Sequence, residues 1–146
     1  MMTINTRDFG EMEVEQKNIF DFPNGVFAFE DDKRFALISP LGEGTYPMWL
    51  QSLDHSDLCF IVFDPTLIDE GYTVTLNDSE KRLLKVKDGD EIRSLTIAKI
   101  PENFRETTVN MKSPIIINPA NNTALQVILP HDYPFRYPIY AAEEVK

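Results

Sequence analysis

Apolar and polar residues alternate with a period of two along Glu11-Met12-Glu13-Val14-Glu15, the pattern of a strand with one wet face. Leu95-Thr96-Ile97-Ala98-Lys99-Ile100 alternates in the same way. Phe35-Ala36-Leu37-Ile38 and Leu58 to Phe63 are short unbroken apolar runs, which predicts strands covered on both faces. Tyr72 to Leu76, Thr107 to Asn110, Ile115 to Ile117 and Thr123 to Leu129 are rich in β-branched residues and complete the predicted strands. Turn-forming residues separate them: Pro23-Asn24-Gly25, Pro40 to Gly44, Lys87 to Asp90 and Asn118 to Asn122.

One stretch predicts a helix. Asn77 offers an N-cap and Glu80, three residues on, completes a capping box. Leu83, Leu84 and Val86 then face the core, and Asp88-Gly89 ends the helix, which places it near residues 78–86. Many short strands between turn signals predict an all-β chain, a small antiparallel barrel-like fold with one short helix. At 146 residues, and with no linker or repeat, residues 1–146 are expected to form a single domain.

Charge narrows the function. Twenty-four acidic residues against fourteen basic ones give a net charge of -10, which argues against nucleic acid as a direct partner, because phosphate contacts need Lys and Arg. Acids crowd the first 32 residues, where the only bases are Arg7 and Lys17. Such a surface keeps a protein soluble or steers a basic partner toward it. No apolar run approaches the roughly 20 residues of a membrane helix. The N-terminus lacks the basic and apolar regions of a signal peptide, so a soluble cytoplasmic protein is expected.

Candidate chemistry is sparse. His55, His131 and Cys59 show no metal-ligand spacing, and no metal or cofactor is expected. Cys59 sits in an apolar run and reads as a small core residue. Ser52, His55 and Asp57 are close in sequence, but three residues on one turn rarely converge as a triad, and no nucleophile elbow accompanies them. Leu41-Gly42-Glu43-Gly44 lacks the Lys and third glycine of a phosphate loop. The only tryptophan, Trp49, reads as a core anchor. Asp132 to Tyr137, with Arg136 between two aromatics and two Tyr-Pro pairs, reads equally as a binding rim or as a closing strand. The bonds from Tyr46, Tyr133 and Tyr137 to proline are expected to be trans.

Five stretches together resemble the flagellar assembly factor FliW family. They are Phe22 to Glu30, Pro47 to Asp54, Phe60 to Pro65, Val109 to Asn118, and Gln126 to Leu129 followed by Tyr133-Pro134-Phe135-Arg136. They stand in family order and span nearly the whole chain. Two positions depart from the family pattern: Ala28, where the family often has Gly, and Met48, near which it often has an aromatic. The resemblance implies a β-barrel without enzymatic activity and two competing cytoplasmic partners, flagellin and the basic RNA-binding translational repressor CsrA.

The acidic and aromatic residues Glu43, Asp54, Asp57, Asp132, Tyr133, Phe135, Arg136 and Tyr137 are the candidate partner-binding surface. Two other classes stay open on the residues alone. One is a small-molecule-binding β-barrel whose aromatics line a cavity. The other is an enzyme whose acids meet across space, such as Asp54 with Asp64.

Overall fold

The computed structural model describes residues 1–140. The chain opens with a hairpin of β1 (Met2–Thr6) and β2 (Gly10–Val14), turned at Gly10 with φ 65°. Then come β3 (Ile19–Asp21), β4 (Arg34–Ile38), β5 (Met48–Ser52) and β6 (Cys59–Phe63). Helix α1 (Asp78–Leu83) precedes β7 (Arg93–Lys99), β8 (Thr108–Val109), β9 (Ile115–Asn118), β10 (Thr123–Gln126) and β11 (Tyr137–Pro138).

Seven of these strands close into a ring. The order β7-β6-β5-β4-β3-β10-β9 returns to β7 through the pairs Arg93–Ile117, Ser94–Ile116 and Leu95–Ile115. On that same edge, the far end of β7 pairs with β8 through Ala98–Val109. Closure removes the exposed edges that invite aggregation. All the pairings are antiparallel except the single contact of Thr123 with Asp21, where β10 runs parallel to β3.

Period-two alternation feeds several apolar clusters from the same strands. Phe35 and Leu37 of β4 and Leu50 of β5 point into the barrel. Ala36, Ile38 and Trp49 point outward, under the β1–β2 hairpin, where they meet Ile4 and Val14. Ile115 and Ile117 face the barrel interior, while Ile116 faces a third cluster with Leu84, Met111 and Tyr72. This double coverage explains the unbroken apolar runs of β4 and β9. The run of β6 departs from the expectation, since Cys59 and Val62 are buried but Phe60, Ile61 and Phe63 are only partly covered. A ring of this size leaves an interior that side chains fill. Phe22, Phe35, Leu50, Leu95, Ile115 and Ile117 occupy it and are fully buried. The interior is therefore a packed core, and truncating Phe35 to Ala costs about 3–5 kcal/mol.

Four expectations need correction. Tyr72–Leu76 joins no ladder. Its alternation is real, since Tyr72, Val74 and Leu76 pack on the third cluster. Its polar groups find other partners: Tyr72 Oη donates to Met111 O at 2.6 Å, and Thr73 N–H donates to Tyr133 Oη at 2.9 Å. The helix starts as predicted, with both capping-box bonds formed, but it ends at Leu83 rather than near residue 86. Lys85 takes φ 53°, and the bonds Lys85 N–H to Arg82 O and Val86 N–H to Lys81 O close a Schellman motif. The Tyr46–Pro47 bond is cis, where trans was expected. Strands β1, β3 and β5 were not anticipated from the pattern.

Candidate functional site

The eight predicted surface residues fall in three places. Glu43 lies in the loop between β4 and β5, beside a groove also lined by Glu13, Glu15, Lys17 and Arg93. Asp54 and Asp57 lie at the opposite end of the barrel, in the turn between β5 and β6. Asp132 to Tyr137 runs along the flank beside β8, with Tyr137 paired to Val109 and Pro134 O accepting from Met111 N–H. Glu43, Asp54, Asp57, Asp132, Phe135 and Arg136 are exposed. Tyr133 and Tyr137 are half-buried and pack on the third cluster. Tyr133 also stacks against Tyr72 with centroids 4.7 Å apart.

The end that carries Asp54 and Asp57 has the more developed surface. Two connections meet there: residues 22–33 between β3 and β4, and residues 53–58 between β5 and β6. In the first, Phe29 N–H donates to Val26 O at 2.7 Å, closing a tight turn with Ala28 at φ 72°. That conformation suits glycine best. Gly25, at φ 65°, has no room for a side chain, because a Cβ would stand 2.6 Å from Glu30 Cα. The turn lifts Phe27 and Phe29 into solvent, 47% and 40% exposed. Phe27 N–H is pinned to Gln126 Oε1 at 2.9 Å, and the Phe29 ring meets Phe60 edge-on at 5.6 Å. Phe29, Asp32, His55, Asp57 and Leu58 surround a shallow hollow.

Asp32 ties the two connections together and is only 4% exposed. Its Oδ2 accepts from Ser52 Oγ at 2.6 Å, and both its oxygens lie 3.0–3.1 Å from His55 Nδ1. Burial acts to raise the Asp32 pKa, but the bonds from Ser52 and His55 outweigh it and hold the carboxyl below its ordinary value. The Asp32 bond, with its charge, raises the pKa of His55. Ser52 Oγ also accepts from the backbone N–H groups of Asp54 and His55, which shapes the turn. The carboxylate sits between serine and histidine, whereas a nucleophilic triad needs the histidine in that place. Asp57 forms no hydrogen bond to Ser52, Asp32 or His55, and acts on the cluster only through its charge, which adds a smaller upward push to the His55 pKa. Asp54 and Asp64 lie at opposite ends of the barrel and form no pair: Asp54 accepts Lys33 N–H, and Asp64 caps the turn at Thr66.

The remaining candidates serve the packing. Cys59 is buried between strands, with its thiol pushed up to about 11 by burial. Trp49 is half-buried beneath the hairpin, and its Nε1–H donates to Asp8 Oδ2 at 3.0 Å. Among the described residues, no group of three His, Cys, Asp or Glu side chains is placed to hold a metal ion, and no helix is long and apolar enough to cross a membrane.

The rim at the Asp54 end of the barrel thus presents two exposed phenylalanines, with the exposed acids Glu30, Asp31, Asp54 and Asp57 on the same two connections. Residues 3–139 match the family model described as FliW protein. The chain belongs to the FliW family. It is 36% identical to the flagellar assembly factor FliW of Caldanaerobacter subterraneus subsp. tengcongensis over 99% of this chain and 96% of that one. It is 35% identical to the FliW of Natranaerobius thermophilus over 99% and 97%. A crystal structure of the flagellar assembly factor FliW superimposes with a TM-score of 0.85 at 27% identity, covering 96% of this chain and 98% of that one. Membership in the FliW family places this chain among factors of flagellum assembly.

Sequence reasoning did not single out Phe27 or Phe29 as site residues, and it read Glu30-Asp31-Asp32 as a solvated turn without the pattern of a calcium loop, which fails for the buried Asp32. The signal was present in the run Phe27-Ala28-Phe29-Glu30-Asp31-Asp32, where aromatics adjoin acids between turn residues. What the sequence did not reveal was that Asp32 turns inward while its neighbours stay in water.

Proposed function

We propose that the protein is a cytoplasmic regulatory binding protein that binds flagellin and antagonises the translational repressor CsrA by direct contact. Its role in this reading is homeostatic control of flagellin synthesis. Free flagellin occupies the protein and leaves CsrA to repress translation; exported flagellin frees the protein to sequester CsrA. The chain acts by binding and performs no catalysis.

Membership in a family of flagellar assembly factors carries this reading. The aromatic rim, with exposed acids on its two connections, supports it. Aromatic side chains dominate binding hot spots, and a negative surround speeds encounter with a basic partner. A net charge of -10 also suits a protein that keeps RNA phosphates away from a bound repressor.

Calorimetric titration with CsrA, repeated with flagellin already bound, tests the proposal. Saturable binding to CsrA that disappears in the presence of flagellin is the expected result. Tight binding to neither overturns it.

A further inference from the structure

A second surface of opposite charge lies on the barrel flank. There the start of the loop after β3 faces the end of α1 across a groove of about 400 Å³. Pro23 and Leu83 give the groove a mainly apolar floor, and Lys33, Arg82 and Lys85 stand around it against one acid, Asp21. Three cations gathered in a chain of net charge -10 are a local reversal of the overall field. Arg82 and Lys85 make no ion pair with any described residue. Among the described residues, Lys33 Nζ donates only to Pro23 O, at 3.2 Å.

The groove is held in shape. The Schellman turn fixes Lys85, and the last carbonyls of the helix are tied to the barrel by two amides. Asn118 Nδ2 donates to Leu84 O at 2.9 Å, and Asn121 Nδ2 donates to the same oxygen at 3.1 Å. Leu84 is fully buried beneath. The two helix cations therefore project from a fixed base, which reduces the ordering cost of binding.

We propose that this groove docks an acidic peptide segment of a partner protein, with one large apolar side chain over Pro23 and Leu83 and flanking carboxylates on Lys33, Arg82 and Lys85. The apolar floor selects a peptide over an inorganic anion, which has nothing to bury there. The overall negative charge repels a long polyanion such as RNA, whereas a short acidic segment meets only the local field. Pro23 and Lys33 lie on the same 22–33 connection as the rim, and Lys33 N–H donates to Asp54 at 2.8 Å. The helix-end cations lie off that connection, and the test does not depend on the basic partner proposed for the rim.

The test uses the full chain labelled with nitrogen-15 and the peptide acetyl-Glu-Asp-Leu-Phe-Glu-Asp-amide as probe. Saturable amide shifts are expected at Arg82, Leu83, Lys85 and Thr123, with affinity falling as salt rises. The same peptide with Gly-Gly in place of Leu-Phe binds at least tenfold more weakly, and inorganic phosphate leaves these amides in place. Arg82→Glu with Lys85→Glu weakens the peptide at least tenfold. Lys33→Glu, on the other wall, does so independently of the helix end. Lys17→Glu with Lys99→Glu, which adds the same charge elsewhere, leaves most of the affinity. Equal loss in the two double variants, equal shifts with phosphate or with the Gly-Gly peptide, or no shifts at millimolar peptide each overturn the proposal.

Discussion

Asp32 Oδ2 accepts from Ser52 Oγ at 2.6 Å inside the barrel end, while His55 closes over the same carboxylate from solvent. The cluster joins two connections that share no ladder, and it gives the rim a pH dependence with a definite sign. The His55 pKa is raised by Asp32, so its stabilisation is complete below about pH 6.5 and is lost as pH rises through the folded value above that. The Asp32 pKa is lowered, so its stabilisation is present above about pH 4 and is lost as pH falls below that. The difference in melting temperature between the native chain and His55→Asn should be largest between these limits and shrink from pH 6.5 to pH 8.5. A constant difference across that range counts against the pair.

The turn that lifts the two phenylalanines is strained at Ala28. Ala28→Gly should stabilise the chain by up to about 1 kcal/mol, because φ 72° costs an L-residue roughly that much. Gly25→Ala should do the reverse and cost about 2 kcal/mol or more, since its Cβ would meet Glu30 backbone at 2.6 Å. Urea unfolding of both variants reads the two signs directly.

Phe135 and Tyr133 are two residues apart but differ in role. Phe135 is 59% exposed, so Phe135→Ala should leave the melting temperature within a degree or two. The same change should weaken one protein partner by more than about 1 kcal/mol. Tyr133→Phe removes the acceptor of Thr73 N–H and should destabilise the chain by about 1 kcal/mol. An unfolded Phe135→Ala would show that the segment is core.

Salt should separate the two proposed partners. With exposed acids on the rim's connections, CsrA affinity should fall steeply between 50 and about 300 mM salt, while flagellin affinity changes less. Matching slopes for both partners would remove charge steering from the account.

Trp49 reports on the hairpin. Its indole N–H meets Asp8, its ring meets Phe9 edge-on at 5.4 Å, and Arg7 reaches across to Cys59 O at 2.9 Å. Asp8→Ala should shift the emission of this single tryptophan to the red and cost about 1 kcal/mol, modest because the group is part-exposed. Emission unchanged from the native chain would mean that the hairpin stays docked without this contact.

The sequence revealed the wall better than the rim. Alternation and β-branched runs located β2, β4, β6, β7, β8, β9 and β10, because burial on one or both faces imposes period two. β3, Ile19-Phe20-Asp21, escaped notice because it shows neither alternation nor a β-branched run. Tyr72–Leu76 carried a strand pattern yet satisfies its polar groups through Met111, Tyr133 and His131, a choice made by neighbours far away in sequence. Ala28 showed as a departure from the family pattern before its positive φ was visible. Ser52, His55 and Asp57 drew attention together, but the acid that joins Ser52 to His55 is Asp32, which lies 20 residues from Ser52 and meets it only after folding.

Ile115, Ile116 and Ile117 follow one another in β9, two facing the barrel and one facing away. A slip of one residue would leave isoleucine at two of the three positions and bring Pro114 or Asn118 to the third, so the isoleucines themselves discriminate weakly between the two alignments. The choice falls to the polar residue at the end of the run. Asn118 is fully buried, and its amide reaches Leu84 O in only one alignment. It works as the key of a lock whose other teeth are identical, and Asn118→Leu would preserve greasiness while erasing the code.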